Sequence, residues 1–113
     1  TIPGGANFDV NERDSLTYVA AERVYMRGET ADARNSFIRY LQTFPEGAFS
    51  LNANYYIGLI DYNQQNYASA APYLNKVLEY PNNKYSEEAM MMSAEIAYLN
   101  KDYTQSLEWF SVG

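Results

Sequence analysis

The side chains that could do chemistry in this sequence are carboxylates, serines and phenols, and their spacing leaves little room for covalent work. Glu88 and Glu95 stand seven residues apart, which along one helix face is about 10 Å, at the long end for the acid and base of an inverting glycosidase. Nothing else in the chain suggests a sugar-cleaving site. The 113 residues include no histidine and no cysteine, so the usual general base, the thiolate nucleophile and sulfur-ligated zinc are all missing. The serines therefore have no imidazole to activate them. Gly4-Gly5 lacks the lysine of a phosphate loop, and no oxygen cluster has calcium-loop spacing. The sequence predicts a protein that is not an enzyme and needs no cofactor or metal.

What remains is non-covalent contact, and composition shapes it. Eight Lys and Arg against fourteen Asp and Glu give a net charge of −6, which repels a phosphate backbone, so nucleic acid is not an expected partner. Arg13, Arg23, Arg27, Arg34 and Arg39 all precede Pro45 while every lysine follows Leu74, leaving the acid concentrated in the C-terminal part. No apolar run approaches the roughly 18 residues that span a bilayer, and direct membrane insertion is not expected. The absence of cysteine suits reducing and oxidising compartments alike. Twelve tyrosines are the notable resource, because a phenol offers a large apolar face, a hydroxyl and few torsions to freeze on binding.

The elements that would position these groups are written as a repeat. Phe44-Pro45-Glu46-Gly47-Ala48-Phe49-Ser50 returns as Tyr80-Pro81-Asn82-Asn83-Lys84-Tyr85-Ser86, 36 residues on. Residues 58–70 overlay 94–106 at the same spacing, and a fainter copy over 21–33 lies 37 residues before the first. Each unit divides into two stretches of helical pattern around a short polar turn: 15–27 with 30–43, 51–64 with 67–79, and 87–99 with 103–112. Gly28-Glu29, Gln65-Asn66 and Lys101-Asp102 are the expected turns, with Gly28 suited to the left-handed residue that closes a helix. Pro45 and Pro81 stop the second helices, and Ser50 and Ser86 are the expected caps of the helices that follow. Asp14 or Ser15 is the expected cap of the first helix. Pro72 falls inside the fourth stretch, which favours a late start near Ser69 or a small kink. Residues 1–13 read as a flexible arm and 14–113 as a helical repeat domain.

The paired helices, the small residues and the closing proline resemble the tetratricopeptide repeat. Ala21, Gly58 and Ala94 stand where that family wants a small residue late in the first helix, and Ala33, Ala70 and Ser106 where it wants one early in the second. Phe37, Leu74 and Phe110 follow one turn later. The resemblance implies an all-α, right-handed superhelix of antiparallel hairpins with about three repeats, the last incomplete. The departures are a period of 36 to 37 residues against about 34, and the absence of tryptophan near the start of any first helix. The aromatic-Pro connection and Ser-initiated helix are similar to repeats of the bacterial cell envelope, of the Tol-Pal-associated and outer-membrane-assembly lipoprotein kinds, and imply a periplasmic or outer-membrane-associated setting, although cytoplasmic relatives share the style.

The same resemblance implies that the first helix of each hairpin lines a concave groove. Its facing positions are Tyr18, Glu22 and Tyr25 in the first unit, Asn52, Tyr55, Leu59 and Tyr62 in the second, and Glu88, Met91, Glu95 and Tyr98 in the third. Two rows result, Tyr25-Tyr62-Tyr98 and Tyr18-Tyr55-Met91. They either hold a partner or pack between helices, and the glutamates either give the groove an acidic tone or form a solvated face. The implied function is a scaffold that binds an extended peptide segment or partner protein. The alternatives are a glycan-binding module using the rings as stacking platforms, and a passive spacer. Residues 106–113 end inside the sixth helix with no polar capping helix after it, and arrays need such caps; either the sequence is a fragment of a longer solenoid or the apolar end docks onto another chain, and the isolated 113 residues are expected to self-associate through the uncapped C-terminal hairpin.

Overall fold

The computed structural model describes the backbone of residues 3–112 and the side chains of residues 12–100. Over that span every regular element is helical: α1 (Pro3–Met26), α2 (Thr30–Thr43), α3 (Ser50–Asn63), α4 (Tyr67–Glu79) and α5 (Ser86–Val112). Consecutive helices pack in order, α1 on α2, α2 on α3, α3 on α4 and α4 on α5, as antiparallel hairpins stacked side by side. This is the all-α hairpin array that the sequence implies.

Both hairpin turns close the same way. Gly28 and Gln65 take φ of 85° and 63°. Gly28 N–H donates to the Tyr25 carbonyl at 2.9 Å and Glu29 N–H to Val24 at 3.3 Å, while Gln65 N–H donates to Tyr62 at 3.0 Å and Asn66 N–H to Asp61 at 2.8 Å. This double bond pattern satisfies the last carbonyls of the first helix and turns the chain back.

Two apolar clusters sit between the helices. The first joins Tyr18, Ala21, Phe37, Tyr40, Ala53 and Ile57; the second joins Tyr55, Ala70, Leu74, Val77, Ala89 and Met92. Small residues permit the crossings. A Cβ on Gly58 would stand 2.7 Å from Leu74 Cδ2, so α3 and α4 approach too closely for a side chain there without some movement of Leu74.

Four expectations differ from the structure. Helix α1 runs from Pro3, so Asp14 lies within it and is buried rather than capping its start; the expected arm over 1–13 falls largely on residues whose side chains lie outside the described ones, and the backbone of residues 3–13 is helical. Helix α4 begins at Tyr67 with Pro72 inside it, because the turn at Gln65 and the buried Ala70, Leu74 and Val77 fix where the helix starts. Ser50 and Ser86 serve the loops instead of capping: Ser50 Oγ donates to the Gly47 carbonyl at 2.6 Å, and Ser86 Oγ accepts from Asn83 N–H at 2.9 Å. Finally, α5 is continuous through Lys101-Asp102, where a third turn was expected. A left-handed turn costs a non-glycine residue about 1–2 kcal/mol, which at Gln65 is offset by the packing of α4 back onto α3.

Candidate functional site

The residues expected to face a groove lie on α1, α3 and α5. Tyr55 and Tyr62 stand seven residues apart on α3, Glu88 and Glu95 seven apart on α5. The helices run side by side in one direction, so the two periods coincide: Tyr55 OH donates to Glu88 Oε2, and Tyr62 OH donates to Glu95 Oε2. The equivalent tyrosine of α1, Tyr18, donates within its own helix to Glu22 Oε2 at 3.0 Å. Each glutamate named from the sequence therefore holds a phenol.

The two rows part company in burial. Tyr18 and Tyr55 are 3% and 6% exposed, each covered by the aromatic that precedes the next unit's serine. Tyr18 stacks on Phe49 with ring centroids 4.5 Å apart, and Tyr55 on Tyr85 at 4.3 Å. Asn52 Nδ2 donates to the Tyr85 hydroxyl at 3.0 Å, fixing that ring. The other row is more open. Tyr25 lies half-buried against Tyr56 at 4.9 Å, Tyr62 is half-buried beside Tyr67, and Tyr98 is 63% exposed. Met91, grouped with the buried row, is itself 66% exposed.

Between α3 and α5 lies a depression of about 270 Å3 lined by Leu59, Tyr62, Glu88, Met91, Met92 and Glu95. Five of these were named from the sequence, and Met92 completes the lining. Leu59, Met91 and Met92 supply apolar wall, and the carboxylates of Glu88 and Glu95 stand on its rim. Among the described residues, the ion pairs are Arg27–Glu29, Arg34–Asp61 and Lys76–Glu79, and none involves Glu22, Glu88 or Glu95.

Electrostatics follow from this geometry. Burial, reinforced by the adjacent glutamate, pushes the Tyr18 and Tyr55 hydroxyls well above the usual phenol range. The hydrogen bond to Glu95 pushes Tyr62 up to about 12. These phenols stay protonated near neutrality and act as donors that orient the carboxylates, leaving each glutamate's second oxygen for a cation or an amide hydrogen.

Sequence reasoning missed the residues that fix the wall from behind. Phe49 and Tyr85 carried a repeat signal, the aromatic before serine, without a role attached. Asp14, Arg34 and Asp61 carried none, because their positions are not repeated. Among the described residues, no group of three or more His, Cys, Asp or Glu could hold a metal ion, and no helix is long and apolar enough to cross a membrane.

No curated protein and no solved structure matches the chain. The sequence profile described as tetratricopeptide repeat matches residues 18–84 and again residues 57–112. Those two overlapping matches cover the helices whose hairpins and small-residue crossings have just been described, and the chain belongs to the tetratricopeptide repeat family.

Proposed function

We propose that this chain is a non-catalytic scaffold that holds an extended, basic or amide-bearing peptide segment of a partner protein in the groove between α3 and α5. Tetratricopeptide folds serve in general as protein–protein interaction scaffolds. The observation that carries the finer reading is the depression whose apolar wall, Leu59 with Met91 and Met92, is rimmed by Glu88 and Glu95, each carboxylate pinned by a tyrosine of the neighbouring helix. An apolar side chain entering the depression places flanking lysines, arginines or backbone amides beside the two carboxylates. Because the phenols already hold the rim in place, little side-chain entropy is lost when the segment binds.

Titration with an extended peptide of alternating leucine and lysine, followed by shifts of the Leu59 and Met91 methyl resonances, tests this. Saturable binding weakened at least tenfold by Glu88→Gln with Glu95→Gln, and weakened by salt, is the expected result. Equal binding of a leucine–glutamate peptide, or no binding, would refute it. A glycan module needs open ring faces; Tyr18 and Tyr55 turn theirs to Phe49 and Tyr85, while the carboxylate-flanked apolar depression favours the peptide reading. For the setting of the scaffold we propose the bacterial envelope, on the style of the aromatic-Pro-to-Ser connections alone; fractionation of cells expressing the parent protein tests it.

A further inference from the structure

The two closed hairpins share a rule that the third sequence unit obeys only in part. On α3, Asn54, Gly58 and Asp61 form one stripe, and all three are buried. Helix α4 covers it: Leu74 lies against Gly58, and Ser69 Oγ donates to Asp61 Oδ2 at 2.7 Å. On α1, the equivalent small residue Ala21 is wholly buried together with Phe37 of α2. Met90, Ala94 and Ala97 hold the same stripe on α5, 36 residues after its α3 counterpart, and all three are exposed.

The helix that would cover this stripe is present in the sequence. Tyr103, Ser106 and Phe110 follow Tyr67, Ala70 and Leu74 at the same spacing of 36, and Ala94 with Phe110 repeats the Ala21 and Phe37 pair, both 16 residues apart. Yet α5 runs straight through Lys101-Asp102. Gly28 and Gln65 reverse the chain, whereas α5 has no reversal at the equivalent position 101.

We propose that the stripe Met90-Ala94-Ala97 is covered by residues 103–112 of a second copy of this chain, in a two-fold exchange of the sixth helical segment. The interface is continuous in kind with the α1–α2 and α3–α4 crossings, since the same repeated residues make all three. Two-fold symmetry forms it twice. Two such helix crossings reach the roughly 1,200 Å2 of a stable dimer when each buries about 600 Å2. The inner-wall residues Met91, Glu95 and Tyr98 lie on another face of α5, so the exchange leaves the proposed peptide groove open and stands independently of it.

Sedimentation equilibrium of the 113-residue chain at tens of micromolar should give twice the 12.9 kDa of one chain; a monomer at that concentration overturns the proposal. The chain has no cysteine, which makes a directed cross-link clean. Leu74 Cγ lies 2.9 Å from where a Cβ on Gly58 would stand, so the equivalent β-carbons at positions 94 and 110 come within disulfide reach of about 3.5–4.5 Å. Ala94→Cys chains refolded together with Phe110→Cys chains should oxidise to a mixed, disulfide-linked dimer. A dimer in which this mixed link does not form places the contact elsewhere and overturns the exchange. So does a doubly substituted chain that closes its disulfide within one monomer. Peptide titration of the groove reads the other proposal and is unaffected by either result.

Discussion

Arg34 of α2 forks onto Asp61 of α3, with Nε 2.7 Å from Oδ1 and Nη2 3.0 Å from Oδ2, while Ser69 of α4 donates to the same carboxylate at 2.7 Å. Asp61 is 1% exposed, so three helices meet on one buried charge. At the next junction the corresponding positions hold Ala71 and Ala97, 37 and 36 residues on. Equivalent sequence positions thus hold a buried ion pair at one junction and two alanines at the next, of which Ala97 is exposed.

That contrast predicts a non-additive pair of substitutions. Arg34→Ala strands a buried carboxylate and should cost roughly 3 kcal/mol. Arg34→Ala with Asp61→Ala removes the stranded charge and should cost less than Arg34→Ala alone, despite changing more atoms. Urea denaturation of the four chains of the cycle measures it. A double variant as unstable as the sum of the singles would show that the pair is not coupled.

A second buried polar centre lies behind the first hairpin. Tyr40 OH donates to Asp14 Oδ1 at 2.6 Å and accepts from Phe49 N–H at 2.9 Å, and Ala48 N–H donates to Asp14 Oδ2 at 2.9 Å. This ties α1, the end of α2 and the loop that carries Phe49, the ring stacked on Tyr18. Tyr40→Phe keeps the ring and leaves an acceptor and a donor unpaired, at about 1–3 kcal/mol. Each kcal/mol should lower the melting temperature by roughly 4–8 °C. Gly47→Ala should act in the same direction, since its new Cβ would stand 2.8 Å from Asp14 Oδ2. Calorimetry of both variants checks this.

The helices were legible in the sequence because they are repeated. The expected spans 30–43 and 67–79 coincide with α2 and α4, and the shared period of 33 residues between Tyr55 and Glu88 and between Tyr62 and Glu95 brings those side chains together. Burial within the tyrosine rows was not legible. Tyr18 and Tyr25 have the same type and lie on the same face, and what separates them is Phe49, 31 residues away from Tyr18, which lies over the first ring and not the second. Arg34–Asp61 and Asp14–Tyr40 were invisible for a related reason: the unit that follows each residue replaces its polar group by an apolar one, Ala71 and Ala97, Leu51 and Val77. A reading that looks for recurrence sees only what recurs. The continuous α5 escaped because the turn at 101–102 was inferred from its siblings, and Gln65 shows that packing rather than residue type decides whether such a turn forms.

Alkaline pH should unfold the chain abruptly. Burial holds the hydroxyls of Tyr18, Tyr40, Tyr55 and Tyr56 above the ordinary phenol range, and Glu95 holds Tyr62 up to about 12. In the unfolded chain these phenols lose their protons near pH 10, so above that value the folded state binds more protons than the unfolded one and stability falls with rising pH. The contribution is complete below about pH 10 and is lost on the alkaline side. Helical circular dichroism should fall in one cooperative step above pH 10, with a coincident step in tyrosinate absorbance from the buried phenols. A gradual phenol titration centred near 10 with the helices intact would contradict the burial of these rings.

Pro72 offers a stabilising change. It is the sixth residue of α4, exposed, and lacks the N–H that would bond the Ala68 carbonyl. Asn35 and Glu108 occupy the corresponding positions of the other units, so nothing in the repeat requires a ring there. Proline costs about 3 kcal/mol relative to alanine in a helix interior. Against this stands the greater freedom that alanine gives the unfolded chain, worth roughly 0.4–1 kcal/mol. The first quantity is larger, and Pro72→Ala should raise the denaturation free energy by about 2 kcal/mol, with slower amide exchange in the first turns of α4. A loss of stability would mean that α4 has already relaxed around the proline, so that only the unfolded-state effect is left to measure.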